Sequence, residues 1–465
     1  MLPTDQILRA LQFDSFYSRN PLNTADDDRL EITYQFAGNS APADLPTNSS
    51  YSGWRSFTAA EEAAFRTVFD QVETFLNVEF VETTNSGDPD LNLGMVSLPG
   101  NTAGTGGYSI SFFGDTISSW DGFAVFDASY DMSDPIYESL IFHELGHAMG
   151  LQHPFEANPA LPEEFENNLY SVMSYTPNPL NGLDSDGMML FDVIALQDIW
   201  GSVDNNTGNS IYTGARNDTV DVIWDTGGRD TLDASDRSAG VTLNLREMQF
   251  SSFDSNSDVV IADGVTIEDA IGSGGADLIY GNGVGNMLMA GSGADTVNAG
   301  NGADTVYGQA GSDDLSGAAG RDRLLGGNGT DTLYGNKGAD TLLGGNGRDT
   351  LRGGEGNDVL SGNKGWDLLI GGAGNDKLNG MLGNDRLSGN AGADEFIYVN
   401  NGGNDVIRDF QDDIDSIRIT GHGSVAELLA LAQEVDGDVL FDLDGNHSVT
   451  VRNTTILEIS DDLLV

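Results

Sequence analysis

The sequence predicts a multidomain chain in which an α/β domain is followed by an all-β region, and three observations carry that prediction. As far as about residue 200, strand-like and helix-like patterns of apolar residues follow one another without a repeat. From Asp277 to Asp394, one position recurs every nine residues, which is typical of a parallel β-roll. Glycine and acidic residues are both unusually frequent, with 61 and 73 copies, and many of them lie in that repeat.

The net charge limits the classes of partner. With 73 acidic and 20 basic residues, the formal net charge is −53, and a field of that sign repels nucleic acid and anionic membrane surfaces. We therefore expect neither as a partner. The carboxylates could form a solvated surface or lie in disordered segments, or they could be neutralised by bound cations, among which calcium is the natural ligand of carboxylate oxygens.

The sequence also bears on cellular location. Cysteine is absent, so no disulfide framework exists, and no run of about twenty apolar residues predicts a membrane span. The first twenty residues lack the basic segment and the apolar stretch of a secretory signal peptide. These features predict a chain that is either cytosolic or exported by a route that needs no N-terminal signal.

The first 200 residues predict a mixed sheet with helices packed on it. Thr58 and Glu61 form a capping-box signature before a helix with apolar residues at helical spacing. Asp134 is a good N-cap for a second helix, which we expect to end near Gly150, and a third helix ends before Gly201. Strand patterns occur in "EITYQFAG", "VEFVE", "LNLGMV" and "GFAVFD".

The nine-residue unit reads G-G-x-G-x-D-x-U-x, where U is apolar. Thirteen of the fourteen recurring positions are Asp, the exception being Asn286, and strict phase over fourteen units excludes a flexible linker. Glycine permits turns that expose backbone carbonyls, Asp adds an anionic oxygen, and the apolar residue points inward. We predict calcium sites at Asp277, Asp295, Asp304, Asp313, Asp322, Asp331, Asp340, Asp349, Asp358, Asp367, Asp376 and Asp385.

Three of the five histidines lie within eleven residues, in "IFHELGHAMGLQHP". On a helix, His143 and His147 project from one face one turn apart and can bind one Zn²⁺. A chain reversal at Gly150 would return His153 as the third ligand and leave an open position, as in catalytic zinc sites. Glu144 points elsewhere, and we expect it to take a proton from water beside the metal. A metal-free core helix is the alternative, but the extended spacing H-E-x-x-H-x-x-G-x-x-H is strong.

The segment "HELGHAMGLQHP" is similar to the zinc signature of the metzincin metalloendopeptidases, and the repeat is similar to that of RTX calcium-binding proteins. Together they resemble the serralysin family, whose members join these two modules. "VIWDTGGRDTLDAS" and "VIADGVTIEDAIGSGGADLIYGN" also resemble serralysin sequence. The resemblance implies a metzincin-like protease domain before the β-roll, and peptide-bond hydrolysis in protein or peptide substrates.

The resemblance also implies roles for two residues of "SVMSY". Met173 would form the methionine turn beneath the metal. Tyr175 would be an additional zinc ligand that swings away and stabilises the transition state. Thr176 departs from the family, where many members have tryptophan, but this leaves the ligand positions unaffected.

The resemblance further implies a monomer that is secreted by a type I apparatus, with a C-terminal signal compatible with the ending "DDLLV". We predict five segments: an N-terminal segment 1–29 that is a candidate propeptide, a zinc metalloprotease domain 30–203, a connecting β region 204–270, the RTX β-roll 271–400, and a C-terminal β region 401–465 with the secretion signal.

Two other readings remain open at this point. An RTX adhesin or toxin with a degenerate enzyme domain would use the roll alone, and the intact zinc signature argues against it. An RTX lipase would need a serine nucleophile in a G-x-S-x-G motif, which the sequence lacks.

Overall fold

The structure is a computed structural model. It describes residues 2–13, 15–17, 19–24, 28–42, 45, 51–84, 88–114, 116–157, 159–180, 182–214, 220–254, 258–399 and 401–465.

The described residues as far as Trp200 form an α/β unit. Its helices and strands are α1 (Thr4–Leu11), β1 (Leu30–Phe36), β2 (Ser52–Arg55), α2 (Ala59–Val72), β3 (Val78–Glu82), β4 (Leu91–Ser97), β5 (Gly104–Phe113), β6 (Thr116–Asp127), α3 (Glu138–Ala148) and α4 (Leu190–Trp200). Short 3-10 helices lie at Pro135–Tyr137 and Glu163–Phe165.

The sheet of the α/β unit is mixed, as the sequence predicts. Its order is β3-β1-β4-β6-β5, with β2 paired antiparallel to β4. The pairs β1–β3, β1–β4 and β4–β6 are parallel, and the long edge strand β5 runs antiparallel to β6. Residues 91–96 of β4 are all buried, because this central strand is covered on both faces.

The predicted helix boundaries are confirmed. Thr58 and Glu61 form the capping box of α2, and Asp134 caps the 3-10 turn that leads into α3. At the other end of α3, the indole N–H groups of Trp120 and Trp200 donate hydrogen bonds to the carbonyls of residues 148 and 149. These bonds satisfy carbonyls that a helix end otherwise leaves without partners.

The N-terminal helix α1 packs on α4 and buries Ile7 and Leu11 completely. Beyond it, Gln12 pairs with Leu151 as an antiparallel bridge, and the Gln12 side chain donates to the carbonyl of Ala195 in α4. The segment that carries α1 therefore belongs to the core of the α/β unit.

All remaining elements except two short helices are strands. Before the repeat lie β7 (Ile211–Tyr212), β8 (Asp221–Ile223), β9 (Thr231–Asp233), β10 (Thr242–Asn244), β11 (Phe250–Ser251), β12 (Val259–Ile261) and β13 (Asp269–Ile271). The repeat contains β14 (Leu278–Tyr280), β15 (Met287–Ser292), β16 (Thr296–Asn298), β17 (Asn301–Gly302), β18 (Thr305–Ala310), β19 (Asp314–Ser316), β20 (Ala319–Gly320), β21 (Arg323–Gly329), β22 (Thr332–Lys337), β23 (Thr341–Gly347), β24 (Thr350–Glu355), β25 (Val359–Gly365), β26 (Leu368–Ala373), β27 (Lys377–Asn379), β28 (Leu382–Gly383), β29 (Arg386–Ala391) and β30 (Glu395–Tyr398).

The repeat folds as a parallel β-roll, which confirms the predicted fold class. Alternate units contribute to two parallel sheets, so that each strand pairs with residues 18 positions away; Leu324 faces Leu342, and Leu342 faces Leu360. The apolar residue of each unit points inward and is buried; it is leucine or valine in all units except those with Ile279 and Phe396. The core of the roll is therefore thin, with one large apolar side chain from each unit.

The C-terminal region continues both sheets of the roll. It contains β31 (Asn404–Ile407), β32 (Ser416–Ile419), α5 (Val425–Leu429), β33 (Ala432–Val435), β34 (Asp438–Asp442), β35 (Ser448–Val451), α6 (Ile456–Ile459) and β36 (Leu463–Leu464). β31 and β32 pair parallel with the last strands of the repeat, and β33–β34–β35 then close one sheet with antiparallel pairs. Among the helices of the described ranges, none has the length and apolar character needed to cross a membrane.

Candidate metal centre

The three predicted zinc ligands converge on one point. His143 and His147 project from the same face of α3, and His153 follows after the helix has ended. The Nε2 atom of His153 lies 3.2 Å from that of His143 and 3.1 Å from that of His147. Three nitrogens about 2.0–2.1 Å from one tetrahedral zinc ion lie about 3.3–3.4 Å apart, so this spacing fits zinc.

The return of His153 depends on Gly150. This residue has a φ of +110°, a backbone conformation that favours glycine, and a Cβ there would lie 2.7 Å from the ring of Phe16. The next residues are held by the N-terminal segment, because Phe13 N–H donates to the carbonyl of Gly150 and Gln152 N–H donates to that of Leu11.

Backbone carbonyls fix two of the imidazole rings. The carbonyl oxygen of Val172 lies 2.8 Å from His143 Nδ1, and that of Leu151 lies 2.9 Å from His147 Nδ1. Because a carbonyl can only accept a hydrogen bond, Nδ1 carries the proton in both rings and each Nε2 lone pair is free for a metal. His153 Nδ1 instead has the carboxylate of Glu156 at 3.1 Å, although the direction is not that of a hydrogen bond.

Burial keeps the two helix-borne histidines neutral. It lowers the pKa of His143 to about 4 and that of His147 to about 3, in spite of the carbonyl acceptors that favour the protonated rings. Neutral imidazole is the form that binds a metal. At neutral pH these rings therefore need no deprotonation before they bind.

Glu144 lies on α3 beside the edge strand β5. Its side chain is 5% exposed, and its Oε2 atom has no hydrogen-bond partner within the described part of the chain. Burial raises the pKa of the carboxyl to about 8, although the backbone N–H of Gly106 favours the charged form. A nearby cation would lower that pKa again.

Two glycines of β5 make room for Glu144. A Cβ on Gly104 would lie 2.9 Å from Glu144 Oε1, and one on Gly106 would overlap the backbone carbonyl oxygen of Glu144. The absence of side chains at these positions allows α3 to approach the strand closely. The carboxyl group is consequently held between the helix and the free edge of the sheet.

Met173 packs against α3 at Gly146. It is fully buried, and its sulfur would lie 2.6 Å from a Cβ on Gly146, so it packs against α3 between the two helix-borne histidines. The segment that carries it is held by Asp192 of α4. This fully buried carboxylate accepts hydrogen bonds from Ser171 Oγ at 2.6 Å and from Val172 N–H at 2.7 Å.

Aromatic rings cover the open side of the site. The ring of Tyr175 is 66% exposed and lies 4.6 Å from that of His153 and 5.5 Å from that of His143. Partial burial and the charges of Glu144 and Glu156 raise the pKa of Tyr175, so its phenol keeps its proton at neutral pH. The sequence analysis missed Phe155, whose ring stacks on His153 at 5.0 Å.

The repeat aspartates form two rows, one along each side of the roll. From Asp295 to Asp394, Oδ1 of each repeat Asp accepts a hydrogen bond from the backbone N–H of the residue 18 positions earlier; Asp340 Oδ1, for example, accepts from Asp322 at 2.8 Å. The described part of the chain leaves the Oδ2 atoms without partners, although these atoms are buried. They belong to Asp295, Asp304, Asp313, Asp322, Asp331, Asp340, Asp349, Asp358, Asp367, Asp376, Asp385 and Asp394.

Such an array is costly without cations. Burying a carboxylate oxygen without a partner is unfavourable, and here burial raises the pKa of Asp322, Asp367 and Asp376 to about 7. Regular turns that expose carbonyls beside each carboxylate are an all-oxygen environment, which suits Ca²⁺. Asp277 differs from the others, because its Oδ2 accepts from the backbone N–H of Ser273 at 2.5 Å.

The two rows extend beyond the repeat. Asp405 Oδ1 accepts from Asp385 N–H and Asp415 Oδ1 accepts from Asp394 N–H, at separations of 20 and 21 residues. Sequence analysis missed both because the nine-residue phase ends before them. It also stopped its ligand set at Asp385, although Asp394 has the same buried, unpartnered Oδ2.

Comparison with known proteins identifies relatives. The family model described as "Peptidase M10 serralysin C terminal" matches residues 194–460, more than half of the chain. Serralysin of Photorhabdus luminescens is 30% identical over 305 residues, which is 57% of this chain and 61% of the relative. Metallopeptidase AprA of Pseudomonas marginalis is 28% identical over 300 residues, 56% and 62% of the two chains. The chain thus spans about three fifths of the length of these curated relatives.

A likeness to a solved structure is much weaker. The crystal structure of extracellular lipase LipA from Serratia marcescens aligns with 44% of this chain and 41% of the lipase at 17% identity, with a TM-score of 0.24. A score this low supports no conclusion about fold or function.

Proposed function

The chain belongs to the Peptidase M10 serralysin C-terminal family, and we propose that it is a secreted, zinc-dependent endopeptidase whose fold is stabilised by calcium bound to the β-roll. The observation that carries the proposal is the convergence of three imidazoles, with His153 Nε2 at 3.2 Å from that of His143 and 3.1 Å from that of His147, beside a buried carboxyl group. The Nε2 lone pairs of His143 and His147 both face Nε2 of His153, and Glu144 Oε2 is buried with no hydrogen-bond partner among the described residues, so a cation beside these atoms would complete the site.

His143, His147 and His153 are the proposed zinc ligands. Zinc bound there acts as a Lewis acid that polarises a peptide carbonyl and makes water more acidic. Glu144 is the proposed general base: its partly unpartnered carboxylate takes a proton from the attacking water and delivers it to the departing amine. Glu144 lies on the side of α3 that faces Gly104, so its carboxylate is directed to the sheet edge, where a substrate chain would lie.

Tyr175 is the proposed donor to the developing oxyanion, and it is also a candidate additional zinc ligand. Its hydroxyl group is protonated and its exposed ring contacts the rings of His143 and His153, so the hydroxyl can donate a hydrogen bond at the site. Met173 is the proposed packing base that fixes the floor of the site through Gly146. Asp192 and Val172 position His143 through hydrogen bonds and do not contact the substrate.

The free edge of β5 supports a polypeptide substrate. Within the described ranges no strand pairs with its outer edge, so its N–H and C=O groups can bind an extended chain as an added strand. That edge begins at Gly104, beside Glu144. A peptide bond held there would lie next to both the proposed base and the three imidazoles.

Calcium has a separate proposed role. Cations between the turns would neutralise the buried oxygens of the two aspartate rows, so that calcium binding contributes directly to folding. Where calcium is scarce, the same carboxylates repel one another and the roll is unstable. We therefore propose that the chain passes through a type I secretion apparatus unfolded, and that it folds outside the cell as a monomer.

The test is hydrolysis of casein in the presence of zinc and calcium. The parent is compared with Glu144→Ala, and with Glu164→Ala in the remote 3-10 helix as the matched control. We expect the parent and Glu164→Ala to cleave casein, and Glu144→Ala to lose about a thousandfold or more of the activity while it retains one zinc ion. Equal cleavage by the parent and Glu144→Ala would overturn the proposal.

A further inference from the structure

Strand β5 is an edge strand without the usual protection against pairing. Its ten residues, "GTGGYSISFF", contain neither a charged side chain nor proline, although the chain as a whole has a net charge of −53. Natural edge strands are commonly protected by lysine, proline or a bulge. The pairing of β5 with β6 is regular from Gly104 to Ser111, and the one irregularity lies at its far end.

The two ends of β5 differ in character. One end lies against Glu144, where Gly104 and Gly106 have no side chains. The other end carries two exposed rings, Phe112 at 52% and Phe113 at 89% exposure. Successive side chains of a strand point to opposite faces, so the two rings project on either side of the sheet edge. The guanidinium of Arg19 lies 3.8 Å from the centre of the Phe112 ring.

We propose that Phe112 and Phe113 form a distal binding site for the substrate chain itself, which holds an extended apolar segment about eight residues away from the cleaved bond. The inference rests on the proposed endopeptidase function. A strand rises about 3.3 Å per residue, so Phe112 lies roughly 26 Å along β5 from Gly104, the residue beside the Glu144 carboxyl group. A chain that pairs with this edge advances at the same rate, and its residues about eight and nine positions from the cleaved bond therefore meet the two rings.

The positions of Phe112 and Phe113 at the end of β5 explain which substrates the distal site would bind. An added strand places alternate side chains on opposite faces, and one ring is available on each face. Apolar side chains of the substrate would cover surface that Phe112 and Phe113 now expose to water. In a folded protein most long extended segments are already paired within sheets, whereas an unfolded chain has such segments available for pairing. The site would therefore favour long, unfolded, apolar substrates over short peptides.

Cleavage of matched peptides tests this proposal. A short peptide has six residues around the cleaved bond, and long peptides add eight residues that contain Leu-Phe, on either the N-terminal or the C-terminal side. The quantity compared is the ratio of kcat/KM for the long peptide to that for the short one. Phe113→Ser removes one exposed ring, and Trp366→Ser, which removes a 65% exposed ring on the β-roll, is the matched control.

We expect one of the two long peptides to be cleaved with a higher kcat/KM than the short peptide by the parent. Phe113→Ser should lower that ratio about fivefold, mainly through KM, and Trp366→Ser should not change it. Replacing Leu-Phe by Asp-Asp in the long peptide should remove the same advantage. Because the ratio cancels any general loss of folding or zinc, a structural defect alone cannot produce this result.

Two results would overturn the inference: an unchanged ratio in Phe113→Ser, or sedimentation showing that the parent dimerises through this tip and Phe113→Ser does not. In the second case the occupant of the site is another copy of the chain. If the parent cleaves neither the peptides nor casein, the proposed endopeptidase function itself fails, and that outcome is distinct from both.

Discussion

The α/β unit and the β-roll arrange their proposed metal ligands in opposite ways. In the α/β unit, three histidines from one helix and one loop meet at a single point, and residues as distant in sequence as Gln12, Val172 and Asp192 hold them there. In the roll, each proposed ligand is held by its neighbours 18 residues away, and the same arrangement recurs along both rows. The first site depends on the whole unit, whereas the second depends only on adjacent turns.

The two regions also differ in how they are stabilised. The α/β unit has a continuous core that includes fully buried Phe65, Phe126, Phe142 and Trp200. The roll has one apolar side chain per strand and twelve buried carboxylate oxygens without partners among the described residues. We therefore expect the zinc site to be formed before its metal arrives, and the roll to need its metal in order to fold.

The largest expected effect is the loss of zinc binding when one ligand of the single proposed zinc site is removed, compared with a small loss of calcium when one carboxylate of the repeated array is removed. His153→Ala removes one of three proposed ligands and should abolish stoichiometric zinc binding, because two imidazoles cannot hold the ion against water. Asp340→Asn removes one carboxylate among many and should lower calcium stoichiometry slightly while the roll still folds. Metal content of both purified variants, measured by mass spectrometry, checks this. Complete loss of calcium in Asp340→Asn would contradict this expectation, because it would show that calcium binding by the roll depends on every carboxylate.

A smaller but still large effect concerns the thin core of the roll. Leu342→Ala removes a fully buried side chain and should lower the free energy of unfolding of the calcium-loaded roll by about 3 kcal/mol. Leu343→Ala, at the next position and only half-buried, should cost under about 1 kcal/mol. Urea denaturation in millimolar calcium measures both. Equal effects of the two substitutions would contradict the alternation of inward and outward residues.

The same difference between the two regions explains how much of each can be predicted from the sequence. The strict nine-residue phase specifies the roll, because its contacts are local and repeated. The spacing of His143, His147 and His153 likewise specifies the ligands themselves. Nothing in the sequence marks Val172 and Leu151, since they act through backbone carbonyls, and any residue supplies a carbonyl.

Asp405 and Asp415 were missed for a different reason. They continue the two rows in space, but insertions change their separations from 18 to 20 and 21 residues, so a search by phase passes over them. The candidate propeptide at 1–29 stays a prediction, but the packing of its helix α1 could not be predicted from the sequence. Its burial on α4 and its bridge to Leu151 depend on tertiary contacts that no local pattern reveals.

A moderate effect is expected from Asp192, which fixes the segment that orients His143. Asp192→Asn keeps the size of the side chain but replaces one acceptor oxygen by a donor, next to Ser171 Oγ and Val172 N–H. Zinc affinity should fall about 10- to 100-fold, as is usual when the partner of a ligand is altered. Competition with a fluorescent chelator measures it. Glu62→Gln, in an exposed ion pair of α2, is the control and should change nothing.

The smallest expected effect is a pH dependence of the calcium-free roll. Burial raises the pKa values of Asp322, Asp367 and Asp376 from 3.8 to about 7 in the folded state. Between about pH 4 and pH 7 the folded roll therefore retains protons that the unfolded chain has released, and its free energy of unfolding falls as the pH rises. Circular dichroism in a calcium chelator should therefore show more roll structure near pH 5, where these carboxyls hold protons in the folded state, than at about pH 7.5, where the calcium-free roll is unfolded. More roll structure at pH 7.5 than at pH 5 would contradict the burial of these carboxyls.

The central proposal is that calcium folds the β-roll while the zinc site forms without it. Hydrogen–deuterium exchange along the whole chain, with and without millimolar calcium, tests it most directly. We predict that without calcium the amides from about residue 277 to 398 exchange freely while those of α3 stay protected, and that calcium restores protection to the roll. Equal protection of the roll in both conditions would contradict the claim.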